Sequence, residues 1–355
     1  MQTASPTLLV TGGAGFIGAH LVHLLVQAKG ARVVNLDKLT YAGNPASLAD
    51  LDQHPHHHFV QGDICDADLL KALFAKHKPD AVIHLAAESH VDRAIDAPAA
   101  FIQTNLVGTY TLLEAARQYW QTLPEPERAH FRFLHVSTDE VHGSLAPGAP
   151  PFHADSPYAP RSPYSASKAG ADHLVRAWFH TYGLPIQICT CSNNYGPRQY
   201  PEKFIPLVIL KCLQNKPIPI YGSGQQVRDW IHVTDHCRAL WQVLTESPPG
   251  ETWHIGGGHE ICNLDLATAI CGQLDVLHPG IRPYRDLLTH VADRPGHDFR
   301  YAMDTRKLRH AFNWQPEISL EAGLEQTLRW YLEHADWWQA LFTQSDNPLA
   351  RKGLT

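Results

Sequence analysis

Paired cysteines, an excess of basic charge and long apolar runs are all missing from this chain. Its seven cysteines are an odd number, scattered, with no CxxC pair, so they read as reduced, mostly buried small residues in a cytosolic protein. The net charge of -6 excludes a general nucleic-acid surface and leaves small charged ligands open. No stretch approaches the roughly 20 apolar residues that a membrane span needs. The start, Met1 to Pro6, runs almost at once into a strand and lacks a basic segment followed by an apolar core. No internal repeat or low-complexity segment occurs either. What remains is a chain of 355 residues, enough for two domains or one large α/β unit with an appended lobe.

Histidine, in contrast, is plentiful. His54, His56, His57 and His58 stand together between a helical segment and a strand. No carboxylate or thiol completes a closed set of ligands there, so the cluster reads as a solvated loop and no metal site is expected.

Near the N-terminus a β-type run, Thr7 to Val10, leads into Thr11-Gly12-Gly13-Ala14-Gly15-Phe16-Ile17-Gly18. Apolar positions at Leu21, Val22, Leu24, Leu25 and Val26 predict a helix from about Ala19 to Ala28. Gly30 closes it, and Arg32 to Leu36 is the next strand, ending at Asp37. This is a complete strand, glycine turn, helix, strand and acid, the unit that binds a dinucleotide. Gly12, Gly15 and Gly18 let the backbone approach a pyrophosphate, whose charge the helix N-terminal amides meet. Asp37 accepts the adenosine ribose hydroxyls and repels a 2′-phosphate, which favours NAD over NADP.

Strand and helix then alternate. Gly62-Asp63-Ile64 follows a strand at Phe59 as a place for adenine contacts, and Ala81 to Leu85 runs into Ala86-Ala87-Glu88-Ser89. A long helix is expected from about Ala99 to Trp120, then a solvated link from Leu123 to Glu127 and a strand from Phe131. A proline-rich loop from Pro147 to Pro163 precludes regular structure. A helix from Tyr164 to Tyr182 and a strand from Ile186 to Thr190 follow; Cys189 and Cys191 share a face of it and read as packing. The alternation implies a parallel, doubly wound sheet. It ends near Ser192, which divides the chain into 1–191, a Rossmann unit, and 192–355, a smaller mixed α/β lobe that can lend an element back to the main sheet. The tail after Gln344 is polar and expected to be partly mobile.

Two stretches carry chemistry. Ser137-Thr138-Asp139-Glu140 ends a buried strand, where adjacent carboxylates are costly unless used; a helix N-cap or turn is an equally ordinary reading there. Tyr164 and Lys168 lie four apart on one helix face. An ammonium near a phenol stabilises the phenolate, so Tyr164 could take a proton from an alcohol as hydride leaves its carbon. Thr138 is the hydroxyl suited to hold that alcohol.

With TGGAGFIG, STDEVHG and the YxxxK pair in place, the chain resembles the extended short-chain dehydrogenase/reductases. More narrowly, it resembles the dTDP-glucose 4,6-dehydratase family, through LDKLTYAGN, LAAESHVDRAI, SPYSASKAGADHLVRA, CSNNYGP, PEKFIPL, YGSGQQVRDW and RPGHDFRYA. The resemblance implies oxidation of a sugar 4-hydroxyl with NAD, elimination of water across carbons 5 and 6, and return of the hydride to carbon 6. It makes Tyr164 the base for the 4-hydroxyl, with Lys168 beside it, Glu140 the base at carbon 5 and Asp139 the acid for the departing 6-hydroxyl. Cofactor contacts carried over are Phe16, Ile17, Asp37, Lys38, Leu39 and Thr40, then Asp63 and Ile64. Leu85, Ala86, Ala87, Glu88, Ser89, Thr104 and Asn194 complete them, with Tyr164 and Lys168. On the substrate side stand Ser89, Thr138, Asn193, Lys203 and Phe204, with Pro219, Ile220 and Tyr221. Arg228, Asn263, Asp293, Arg294 and His297 follow, the arginines offering planar forks to a diphosphate and Lys203 a point charge. A cytoplasmic homodimer is implied, joined through the helices near Ala99–Trp120 and Tyr164–Tyr182, whose apolar positions include Leu112, Leu113, Leu174, Val175 and Trp178.

Three positions depart from the family pattern: His142 where a tyrosine is expected, Ser223 where an acid is common in the YGDG turn, and Phe204 where leucine is common. None is a proposed catalytic group, though His142 has no assigned role. Alternatives in the same fold are a sugar-nucleotide 4-epimerase, a UDP-glucuronate decarboxylase or a non-catalytic NAD-binding protein. The first two reactions need no acid at Asp139, and the last kind usually loses the tyrosine or lysine.

Overall fold

The computed structural model describes residues 5–344 and Leu349; the polar tail after Gln344 otherwise lies outside the described residues. Seven parallel strands form the central sheet. β1 (Thr7–Thr11), β2 (Arg32–Asp37), β3 (His57–Gln61), β4 (Ala81–His84), β5 (Arg132–Thr138) and β6 (Ile186–Cys191) supply six of them. Their spatial order is β3-β2-β1-β4-β5-β6, with one more strand beyond β6. The order reverses between β1 and β4, the place where a doubly wound sheet opens a crevice at its carboxyl edge.

Beyond β6 the chain forms β7 (Asn193–Tyr195), β8 (Ile218–Tyr221), β9 (Val227–His232), β10 (Thr252–Ile255), β11 (Glu260–Cys262) and β12 (Leu288–Val291). β10 returns to the main sheet and pairs in parallel with β6, from Thr252 opposite Ile188 to Ile255 opposite Cys191. The Val233–Glu246 helix that leads to it packs into the same core as β1 and β6, through Val233, Ala239, Leu240 and Val243. The other late strands make a three-stranded sheet, β11-β9-β7, and a parallel pair, β12-β8. A second core of Ile205, Ile209, Leu266, Ile270 and Leu328 lies among their helices. No helix among the described residues is long and apolar enough to cross a membrane.

Several local expectations shift. The first helix starts at Phe16 rather than Ala19, because Gly15 is extended and caps it, and continues with π spacing from Leu24 to Ala28. The long helix begins at Pro98, passes through a π-spaced stretch at Ile102–Gly108 and ends at Thr122. The solvated link is instead a short helix, Glu125–His130, with no buried residue; acids in its first turn and bases in its last suit the helix dipole. The Pro163–Tyr182 helix opens with a reciprocal cap between Ser162 and Ser165 and closes on left-handed Gly183. The histidine cluster dissolves into pairwise contacts, with His54 against His56 and His58 against His77.

Leu134 is fully buried on β5, between Ile83 of β4 and Gln187 of β6. Replacing Leu134 by Ala should lower unfolding stability by about 2–5 kcal/mol, read as a fall in the denaturant midpoint at unchanged slope.

Candidate active site

The carboxyl ends of β1, β2, β4, β5 and β6 open on one cleft. Gly12 lies at its floor with φ +75°, and a Cβ there would come within 2.7 Å of the Ala86 amide nitrogen. Only glycine allows the β1 turn to lie this close to the end of β4. Gly15 then hands over to a helix whose first turn carries no acid, leaving its amides open to an anion. At the end of β2, Asp37 accepts the Ala14 amide at 2.9 Å and the Leu39 amide at 2.8 Å. Burial raises its pKa, and those amides oppose the rise. Each carboxylate oxygen still has a lone pair for a ribose hydroxyl. Lys38 pairs with Asp63 at 2.7 Å on the rim. Every cofactor residue anticipated from the sequence lines this cleft except Leu39, which takes a left-handed turn, φ 57°, beside Asp37. Glycine turn, helix terminus, buried acid and small Ala86 and Ala87 together suit a dinucleotide.

The reacting groups meet at the far end of the cleft. Thr138, the last β5 residue, pairs with Cys191 of β6 and caps the Asp139–His142 turn by accepting the Glu140 amide at 3.4 Å. Cap and site are therefore one feature. The Thr138 hydroxyl donates to Asp139 Oδ1 at 3.3 Å, while Asp139 Oδ2 is buried with no partner. Burial drives the Asp139 pKa well above the ordinary carboxyl range, and the charge of neighbouring Glu140 drives it further. Burial also raises Glu140, but the guanidinium groups of Arg294 and Arg228 and the ammonium of Lys203 hold it back. Adjacent carboxyls thus differ: Asp139 keeps its proton more firmly, and Glu140 gives it up more readily.

Tyr164 is pushed well above an ordinary phenol, first by burial and then by Glu140. The expected tyrosine–lysine contact is absent here. Lys168 Nζ donates to the Val136 carbonyl at 2.8 Å and lies 3.5 Å from His135 Nε2. The phenol therefore holds its proton until a positive charge approaches it.

Of the substrate residues anticipated, Ser89, Thr138, Asn193 and Lys203 line the cleft; Lys203 Nζ donates to the Ser89 carbonyl at 2.8 Å. The rest stand outside its lining. Arg294 binds Asp92 at 2.8 Å and keeps a buried Nε without a partner. Tyr221 donates to the same Asp92 carboxylate at 3.0 Å, and its ring meets that of His297, which pairs with Asp293 at 2.6 Å. Arg228 is buried against the ring of Tyr301 at 4.3 Å and donates to the carbonyls of Asp298, Val227 and Phe299. Phe204 and Asn263 begin helices of the second lobe. Pro219 is on β8, and Ile220 beside it has its side chain in the second core, which leaves only its backbone for a ligand.

The profile of the GDP-mannose 4,6 dehydratase family matches residues 9–327. The dTDP-glucose 4,6-dehydratase of Neisseria gonorrhoeae is 56% identical over 339 residues, 94% of this chain and 98% of that protein. Escherichia coli strain K12 has a dTDP-glucose 4,6-dehydratase 1 that is 54% identical over 338 residues, covering 93% and 94% respectively. This chain belongs to the dTDP-glucose 4,6-dehydratase family. Among solved structures, the Streptomyces venezuelae member DesIV, crystallised with NAD and dTDP, superposes with a TM-score of 0.86 at 45% identity. That match covers 94% of this chain and 99% of the other.

Within the family frame the departures find explanations. His142 lies outside the cleft lining, in an aromatic cluster: it stacks on Phe152 at 4.9 Å and meets Tyr158 and His254 edge-on. Burial lowers its pKa, so it serves as a neutral ring in packing. Ser223 keeps its turn, accepting the Gln225 amide at 3.4 Å between left-handed Gly222 and Gly224. Phe204 packs against the second core. Sequence reasoning missed Asp92, Cys191, Tyr200 and Glu202. Asp92 and Glu202 stood inside the quoted motifs VDRAI and PEKFIPL, yet only the fold shows that they hold Arg294 and Arg93.

Asp139 has a raised folded pKa, so its contribution to stability is full below the unfolded value of 3.8 and is lost as pH rises toward the folded value. Asp139→Asn cannot ionise. Its melting temperature relative to the parent should therefore climb as pH rises above about 4; a constant difference would show that Asp139 titrates normally.

Proposed function

We propose that this chain dehydrates dTDP-glucose to dTDP-4-keto-6-deoxyglucose on a tightly held NAD. The observation that carries this reading is the Asp139–Glu140 pair at the end of β5, two adjacent carboxyls driven to different proton affinities beside Thr138 and Tyr164. The glycine turn and Asp37 suit NAD, and the chemistry NAD supplies when bound is reversible two-electron storage between carbons 4 and 6 of the sugar.

The chain's own residues supply the proton transfers. Thr138 holds the 4-hydroxyl and Tyr164 takes its proton, aided by the charge of Lys168. The resulting 4-ketone makes the proton on carbon 5 acidic. Glu140, the more readily ionised carboxyl, removes it and returns it to carbon 5 as carbon 6 is reduced; Asp139, which keeps its proton, passes that proton to the leaving 6-hydroxyl. Arg228, Arg294 and Lys203 supply positive charge for the diphosphate. Residues 1–191 with β10 then form the cofactor unit, and 192–355 provide the sugar-nucleotide side.

The reading extends to a cytoplasmic homodimer. Seven free cysteines suit a reducing compartment. On the two helices expected to pair, Leu112, Leu113 and Val175 are core residues, but Ile102, Val107, Tyr110 and Tyr182 expose apolar surface. These are the side chains a second copy would cover.

Incubation with dTDP-glucose should yield the 4-keto-6-deoxy sugar; an NAD-loaded, folded protein without product would overturn the proposal. Asp139→Asn/Glu140→Gln should abolish dehydration while still reducing bound NAD on mixing with substrate. Unchanged turnover in that variant would favour a 4-epimerase or decarboxylase. Tyr164→Phe should lower the oxidation step by about 100-fold or more, read in a single turnover.

A further inference from the structure

Asp172 follows Lys168 by one turn of the Pro163–Tyr182 helix, and its side chain has no exposure at all. A carboxylate in such a place is costly unless both its hydrogen bonds and its charge are matched. The hydrogen bonds are complete. Oδ2 accepts the Ser137 hydroxyl at 2.7 Å and the Tyr158 hydroxyl at 2.7 Å, and Oδ1 faces His135 Nε2 at 3.0 Å. These three donors are neutral: burial brings the His135 pKa down to about 4. They satisfy lone pairs but leave the charge unmatched.

The charge is matched by Lys168. Its Nζ lies 3.5 Å from the same His135 nitrogen that faces Asp172 at 3.0 Å, so ammonium and carboxylate meet at one imidazole nitrogen. Arg176, the next cation on the helix, donates to the Tyr158 hydroxyl at 2.8 Å and stays half-buried.

Lys168 has few other candidates for a counter-charge. The titratable groups facing it are His84 on β4, His135 on β5, Cys191 on β6 and Asp172 on its own helix. Both histidines are pushed down and neutral, and burial pushes the Cys191 thiol up to about 12. Facing Asp172 are His135, His142, Tyr158, Lys168 and Arg176, the two histidines lowered by burial. Asp172 is therefore the group in this set that carries negative charge at neutral pH. Burial lowers the Lys168 pKa, and Asp172 is the leading influence that opposes the fall.

We propose that Asp172 is the counter-ion of Lys168, a positioning residue that acts at the neutral His135 nitrogen they share to keep protonated the lysine one turn from Tyr164. The inference rests on the role given to Lys168 in the proposed reaction. Without the carboxylate, a buried ammonium sheds its proton at lower pH, and Tyr164 loses the positive charge that helps it accept a substrate proton.

The test uses NAD-loaded Asp139→Asn/Glu140→Gln protein, in which neither elimination carboxyl titrates, and follows reduced-nicotinamide absorbance after mixing with dTDP-glucose from about pH 6 to pH 10. Adding Asp172→Asn should move the alkaline fall of this step down by about one pH unit or more. Adding Tyr158→Phe removes a hydrogen bond from the same carboxylate but leaves its charge, and should not move the fall. An unmoved profile in the first case, or an equal shift in both, would overturn the proposal. If Asp172→Asn does not fold, or if no sugar is oxidised, Lys168→Met tests the same coupling from the other side without activity. Asp172 then loses its cation, its folded pKa rises, and stability is lost as pH rises through that value. The melting deficit of Lys168→Met against the parent should widen from about pH 4 to pH 7, where Lys168 stays protonated; a constant deficit would overturn it.

Discussion

The pairing of β5 with β6, Thr138 opposite Cys191, holds the proposed chemistry in register. It runs the sheet to its last residue and then turns at once through Asp139 and Glu140, so the two carboxyls leave the sheet at its edge with the protein still closed around Asp139. Burial then does what solvent would prevent. It raises Asp139 far, Glu140 less, and Tyr164 strongly, while it lowers Lys168. Four groups that would keep their ordinary proton affinities on a surface are shifted here by where the strand ends.

That shift needs cations on the other side, and they come from distant parts of the chain. Arg228 on β9, Arg294 after β12 and Lys203 before the Phe204–Leu213 helix all temper Glu140. Asp92, on the Rossmann side, grips Arg294 and Tyr221 from the second lobe. Lobe and sheet are thereby joined through the same ions that set the carboxyl charges. Displacement of either lobe would change proton affinity as well as shape.

What was legible in the sequence follows from how local each requirement is. The glycine turn, Asp37 and the strand after it are a contiguous unit whose chemistry is fixed by backbone approach, and the structure brings them to one cleft. The Tyr164–Lys168 spacing was equally local and correctly placed on one helix, but the direction of the Lys168 ammonium depended on Val136 and His135 of another strand. The start at Phe16 depended on Gly15 being extended, which a count of apolar positions does not reveal. Leu112, Leu113 and Val175 were legible as an apolar face, but its split between core and partner was not, because periodicity does not say which neighbour covers it. Asp92 and Glu202 were hidden because their partners, Arg294 and Arg93, come together only through the fold.

His142 and Asp172 show how two residues packed at one strand end take opposite parts. His142 follows the acids by two residues, yet its ring turns away into Phe152, Tyr158 and His254 and lines no part of the cleft. Asp172 is remote in sequence, yet it touches Ser137 and His135 of β5 directly. Tyr158 joins the two, meeting His142 edge-on and donating to Asp172. An aromatic layer thus backs the buried ion pair and keeps water from it. A tyrosine at position 142 would bring a hydroxyl into that layer, where a buried donor needs a partner. Histidine avoids the added hydroxyl but leaves its own Nε2 without a partner. That unfilled valence marks the same constraint that runs through the site: polar groups are taken out of water here, and their neighbours decide which of them keeps a proton.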